Sequence, residues 1–126
     1  MKFRTPLARA RGLGSAKSGT HHWWMQRLTA VALVPLSLWF VASLIVLATA
    51  DHTTVIAWLR SPLVAILCCA LIVAIFYHGQ LGLQVVVEDY VHTEWLKLAS
   101  IVVAKFVSLL MAGACLFAVL SIAFGS

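Results

Sequence analysis

Acidic side chains are nearly missing from this chain: four Asp and Glu stand against nine Lys and Arg in 126 residues, and none precedes Asp51. Charged residues of both signs make up only 10% of the sequence, too few to clothe a water-soluble domain. Cysteine is sparse, and Cys68, Cys69 and Cys115 have no CxxC spacing, which excludes a zinc site or an iron–sulfur cysteine set built from this chain. They read as small hydrophobes within apolar segments. No internal repeat of the kind found in transporters is visible. No flavin fingerprint is present, and the run Gly12, Leu13, Gly14, Ser15, Ala16, Lys17, Ser18 fails as a phosphate-binding loop. Ala16 stands where the glycine before lysine is needed, and Arg11 where the first glycine belongs.

What the chain has in abundance is hydrocarbon. Hydrophobic residues make up 63%, the mean hydropathy is +1.01, and the charges bunch outside three long runs, 28–50, 61–87 and 98–126, the last interrupted by Lys105. Each run exceeds the roughly 20 residues that cross a hydrocarbon core of about 30 Å. The sequence therefore predicts an all-α membrane protein, with a basic segment over 1–27 and a three-helix transmembrane domain over 28–126. The predicted spans are 28–50, 61–87 and 96–124. The net charge of +5 reads as topology and not as nucleic-acid binding. Lys2, Arg4, Arg9, Arg11, Lys17 and Arg27 all precede the first span, so the positive-inside rule predicts a cytoplasmic N-terminus. The second loop then returns to the cytoplasmic face.

Residues 1–20 are polar, basic and rich in small side chains, and are predicted to run extended along the membrane surface. The basic lead is long and the apolar run after it is too long for a signal peptide; the composition is also that of a mitochondrial presequence. Trp23 and Trp24 suit the headgroup level. Pro35 removes a backbone donor inside the first span and predicts a bend, with Ser37 placed to satisfy a freed group. Ser61 and Pro62 open the second helix as cap and first-turn proline. Ala112, Gly113 and Ala114 form a small-residue patch suited to close helix contact. Lys105 lies about 18 Å along a helix starting at Thr93, where it faces protein, a lipid phosphate or a cofactor charge.

The stretch with the densest chemistry runs from His78 to His92. At about 100° per residue, Leu81, Gly82, Val85 and Asp89 return to nearly the face that carries His78. That face thus bears an imidazole, then a missing side chain, then a carboxylate about 16 Å further on. A polar side chain facing a bundle interior needs a partner. Two readings fit these residues: a histidine bonded across helices with glycine at a packing contact, or an imidazole ligating haem with Gly82 clearing space for it. A third, a small transporter or assembly protein relaying protons through His78 and Asp89, is of another class.

His78, Gly82, Asp89 and Tyr90 resemble the small cytochrome b-type membrane anchor, the D-type anchor, of succinate dehydrogenase. That family carries a haem-ligating histidine, a glycine four residues on, and an Asp-Tyr pair at offsets 11 and 12. Gly19, His21, Arg27, Thr29 and Ala30 match the same family's entry into its first helix. The resemblance covers most of residues 19–92 and extends weakly over the rest. It implies an anchor of succinate:quinone oxidoreductase that holds the soluble flavoprotein and iron–sulfur subunits at the membrane. It implies that His78 is an axial ligand of haem b, that His21 and Arg27 lie near the haem propionates, and that Gly82 gives the haem clearance. Tyr90 and Asp89 are implied at the ubiquinone site. The chain has no second histidine at the depth of His78, so the other axial ligand is expected from a second hydrophobic, cytochrome b-type anchor subunit. FAD and iron–sulfur clusters are expected only in the partner subunits, leaving this chain without catalysis of its own. The implied address is a bacterial inner membrane, with the mitochondrial inner membrane as the alternative. An anchor of fumarate reductase is the near relative of this reading.

Overall fold

The computed structural model describes residues 15–125, with side chains from Thr20 onward; the predicted extended segment lies outside them over 1–14. Four helices follow in order: α1 (Ser15–Leu47), α2 (His52–Arg60), α3 (Pro62–Tyr90) and α4 (Glu94–Phe124). Helix α1 carries through Arg27 and on towards Ser15, so helix replaces the predicted extended chain from Ser15 to Thr20. Charge marks where hydrocarbon ends and does not by itself stop a helix. Three segments are long and apolar enough to span a membrane: Thr20–Leu47, Pro62–Tyr90 and Glu94–Phe124. The second and third match the predicted spans closely, while the first starts and ends earlier.

Among the described residues, only α3 has buried ones. Ala65, Cys68, Leu71, Ala74 and Leu81 form its enclosed strip, at spacings of three and seven that keep one side of a helix in contact. The small side chains Ala65, Cys68 and Ala74 admit close approach, the usual basis of helix association where no hydrophobic force acts between helices. α3 packs against both α1 and α4 and so occupies the middle of the layer. The outer faces of α1 and α4 present bare aliphatic surface, including Val31, Leu38, Ile45, Val103, Leu110 and Phe117. Such a surface is compatible with lipid or with further membrane helices. All three cysteines are free.

α1 stays helical through Pro35. Ser37 is exposed and enters no hydrogen bond among the described residues; Ser43 instead donates back to the Trp39 carbonyl at 2.8 Å. The small-residue patch on α4 also departs from expectation. Gly113 and Ala114 are exposed, and a Cβ placed on Gly113 would meet nothing within 4 Å. The patch borders a gap rather than a tight contact.

The short helix α2 was not foreseen from hydropathy, because nine residues of mixed polarity give no span signal. Its start is set locally: the Asp51 carboxylate accepts from the Thr54 N–H at 2.9 Å, an N-cap. Three contacts then fasten it. Trp58 stacks on Trp39 of α1 with centroids 5.9 Å apart and planes at 27°. Arg60 donates from Nε to the Ile122 carbonyl at 3.1 Å, placing a cation at the carbonyl-rich end of α4. The Ser61 N–H, bonded to the Trp58 carbonyl, then turns the chain into α3 with Pro62 in its first turn.

The two hydrogen bonds from Thr54 hold the Asp51 carboxyl below its ordinary value of 3.8. A depressed pKa means the cap is fully present above the ordinary carboxylate value and is lost as pH falls through the lowered one. Asp51→Ala is therefore expected to speed amide hydrogen exchange at Thr53 and Thr54 at neutral pH, whereas Asp51→Asn, which keeps a cap oxygen, leaves exchange near wild type. In wild type, protection relative to the intrinsic exchange rate is expected to fall towards that of Asp51→Ala only in strongly acidic buffer.

Candidate functional site

The site begins with a polar line on α1. Residues His22, Gln26 and Thr29 recur at i, i+4 and i+7, one face of a helix. Opposite them, towards the C-terminal end of α3, are His78 and Gly82. Thr29 Oγ1 lies 3.0 Å from His78 Nδ1. It is also 2.7 Å from the Met25 carbonyl and 3.1 Å from that of Gln26. A hydroxyl has one proton to donate. With that proton engaged by the short bond to Met25, Oγ1 is free to accept from His78 Nδ1–H. That bond selects the tautomer in which Nε2 keeps its lone pair. An imidazole so held is half-buried, oriented from behind, and ready to ligate through Nε2.

Gly82 lies close to the same seam. A Cβ built on it would sit 3.9 Å from Gln26 Nε2, so Gln26 fills the space beside the missing side chain. Two buried polar atoms there have no hydrogen-bond partner, Gln26 Oε1 and His22 Nε2. Unpaired buried acceptors or donors are costly and usually mark an absent water or ligand. The interface between α1 and α3 therefore holds one satisfied imidazole and two polar groups still seeking partners.

The other residues singled out from sequence are more widely spread. His21 is exposed, and it is its neighbour His22 that turns inward. Arg27 is exposed, with its guanidinium 5.2 Å from the centre of the Trp23 ring, an attraction between cation and ring face. It has no ion pair among the described residues. Asp89 and Tyr90 are the last residues of α3. Both are exposed, Tyr90 at 77%, and at 1.5 Å per residue they stand about 16 to 18 Å from His78 along the axis. The structure thus gathers His78, Gly82, Gln26 and Thr29, and leaves Asp89 with Tyr90 as a separate rim.

Sequence reasoning passed over His22 and Gln26 as site residues and took Thr29 only as part of a motif. The available signal was their spacing, which becomes informative once α1 is known to start before Arg27. A further polar series runs along α3: Gln80 Nε2 donates to Gln84 Oε1 at 3.3 Å, and Gln84 Nε2 donates to Glu88 Oε1 at 3.0 Å. Among the described residues no three His, Cys, Asp or Glu side chains converge as a metal site. Any metal centre involving His78 must take its remaining ligands from elsewhere.

These features define a small polytopic membrane protein with a histidine presented from inside its bundle. Residues 1–112 match the family described as succinate dehydrogenase/fumarate reductase transmembrane subunit. A succinate dehydrogenase hydrophobic membrane anchor subunit of Rickettsia bellii is 38% identical over 108 residues, 86% of each chain. The corresponding subunit of Paracoccus denitrificans is 32% identical over 93 residues, 71% of this chain and 70% of the relative. A succinate dehydrogenase membrane anchor subunit of Reclinomonas americana is 30% identical over 96 residues, 74% of this chain and 80% of the relative. No solved structure shows a significant match. The chain belongs to the succinate dehydrogenase/fumarate reductase transmembrane subunit family, and its curated relatives are succinate dehydrogenase anchors. It is a non-catalytic membrane subunit of an enzyme complex, and its partners are the other subunits of that complex.

The seam at Gly82 yields a graded prediction. A separation of 3.9 Å is ordinary van der Waals contact, so Gly82→Ala is expected to assemble with unchanged thermal stability. Gly82→Leu must displace Gln26 and spread α1 from α3, an overpacking cost of about 1–3 kcal/mol. Melting of the detergent-purified complex, followed by loss of the anchor from the soluble subunits, reads the difference.

Proposed function

We propose that this chain anchors the flavoprotein and iron–sulfur subunits of a succinate:quinone oxidoreductase to a bacterial cytoplasmic membrane. We infer too that it shares one haem b with a second hydrophobic anchor subunit. The observation that carries the haem reading is the bond between Thr29 and His78. A ligating histidine characteristically donates its second ring N–H to an oxygen that fixes tautomer and orientation, and Thr29 is that oxygen. The unpaired His22 Nε2 fits the same group, because a ring N–H there can donate to a propionate.

In this reading His78 ligates through Nε2, and Thr29 holds the ring. Gly82, lacking a side chain, keeps α3 slim at this seam, where Gln26 now sits. Arg27 and His21, exposed at the N-terminal end of α1, meet the propionates. Arg27 is suited to the role because its fork of donors matches a carboxylate and its charge does not titrate. The bound haem supplies one-electron storage within the membrane. A second histidine for that group would come from the partner anchor, since His52 and His92 lie near helix ends and His22 and His21 stand about 10 to 12 Å along α1 from Thr29, the residue level with His78.

Ubiquinone is the substrate assigned to the rim where α3 ends. Reducing a quinone to a quinol takes two electrons and two protons. The electrons come from the iron–sulfur subunit, and the protons enter where the site meets water. The neutral Tyr90 phenol donates one hydrogen bond to a quinone carbonyl, and its ring suits the membrane edge. Asp89, one residue earlier, orients a neighbouring cation or water. The exposure of Tyr90 in the single chain supports a role completed by partner subunits. Positive charge before the first span puts this rim on the cytoplasmic side, where soluble subunits dock.

His78→Leu is expected to alter or abolish the low-spin haem spectrum of the assembled complex; an unchanged spectrum rules out ligation by His78. Thr29→Val keeps the size but removes the hydroxyl, and haem retention is expected to weaken about tenfold, as when other supporting partners of a metal ligand are lost. Thr29→Ser is expected to restore it.

The quinone assignment has its own test. Tyr90→Phe is expected to lower quinone reduction by roughly twofold to tenfold, the worth of one hydrogen bond. Succinate oxidation with a soluble artificial acceptor is expected to persist. Equal quinone activity in the two proteins removes Tyr90 from the site.

A further inference from the structure

A groove between α3 and α4 encloses a cavity of about 330 Å³, within the range of small-molecule sites. It lies on the flank of α3 away from His78, for Gln80 is about 200° around the helix from that residue. Its lining is sorted along the helix axes. Tyr77, Gln80, Lys105 and Ser108 line the end nearer the turn between α3 and α4, while Val73, Gly113 and Leu116 line the end further from it. A ligand that satisfies both ends is an amphiphile with its head towards that turn.

Lys105 specifies the charge of the head. It is exposed and enters no ion pair or hydrogen bond among the described residues. α4 has 31 residues, about 46 Å of helix against a hydrocarbon thickness of about 30 Å. Centred on a bilayer, its first turns stand outside the hydrocarbon, and the Lys105 backbone lies about 8 Å inside. A helical side chain leans towards the helix N-terminus, and a lysine stem follows apolar surface while its ammonium seeks polar groups. Lys105 therefore presents its charge close to the level of lipid phosphates, at the mouth of an apolar groove.

Gln80 specifies what accompanies the anion. The Glu88 carboxylate can only accept, so Gln84 must donate to it through Nε2 and offer Oε1 to Gln80. Gln80 then donates through Nε2, and its Oε1 is left as an unused acceptor on a residue that lines the groove. The polar end of the groove thus offers a cation to a phosphate, with a fixed acceptor beneath it.

We propose that this groove binds one anionic phospholipid of the phosphatidylglycerol type. Lys105 takes the phosphate, and an acyl chain lies along the gap opened by Gly113. The site is separate from the haem and quinone assignments and stands without them.

The test uses the whole complex in nanodiscs that contain a phosphatidylglycerol with a photoactivatable acyl chain, with the phosphatidylcholine counterpart as control. Peptide mapping by mass spectrometry is expected to find the phosphatidylglycerol label on residues 73–80 and 108–116, reduced by unlabelled phosphatidylglycerol. Lys105→Gln is expected to cut that label about fivefold, the attraction of one lysine for an acidic lipid, and Lys105→Arg to retain it. Gly113→Leu, with the charge intact, is expected to lower it by filling the gap. Equal labelling by both probes in wild type overturns the proposal whether or not the variants assemble. So does label absent from these segments, or a polypeptide of the complex cross-linked there in place of lipid.

Discussion

A polar side chain inside hydrocarbon has no water to fall back on, and the arrangement of this molecule follows from how each such group is satisfied. The backbone is satisfied by helices. The side chains are satisfied pairwise or in series: His78 on Thr29, Thr29 on the Met25 carbonyl, and Gln80 through Gln84 to Glu88. Those bonds do more than offset burial. They orient the His78 ring and set which end of each glutamine amide faces its neighbour. Where the requirement is not met among the described residues, at His22, Gln26 and Lys105, the molecule is poised to meet something else.

α3 can serve two purposes because it lies between two helices. Its small-residue strip brings neighbours close, so His78 is presented towards α1 while Tyr77 and Gln80 border the groove with α4. The two flanks are chemically distinct although they share one helix. α2 stabilises this layout from the opposite end. Its tryptophan stack on α1 and its arginine bond to α4 join the outer helices through an element that crosses nothing.

The functional reading draws on that division. A histidine whose tautomer is set by a threonine can serve as a ligand without further adjustment, and preorganisation of this kind is what a supporting partner contributes. The exposed carboxylate and phenol at the end of α3 are the opposite case. No side-chain hydrogen bond or ion pair holds them among the described residues, and both are exposed, which suits residues whose geometry is completed only when other subunits assemble around them.

Hydropathy and charge determined the three spans, because crossing hydrocarbon requires long uncharged runs whatever the partners. The offsets among His78, Gly82, Asp89 and Tyr90 were equally legible, since a helix converts spacing directly into position, and they led to the family. The extension of α1 before Arg27, the cap and docking of α2, and the inward turn of His22 rather than His21 were not legible. Each depends on which neighbour a side chain meets, and periodicity places residues on a face without saying what lies opposite. The same holds for Gly113, whose patch read as a contact and proved to border a gap. Sequence alone thus determined a membrane anchor and the residues worth watching. Only the tertiary structure decided that Thr29 is the partner of His78, because a hydrogen bond between helices 49 residues apart in sequence exists only once packing has chosen which faces meet.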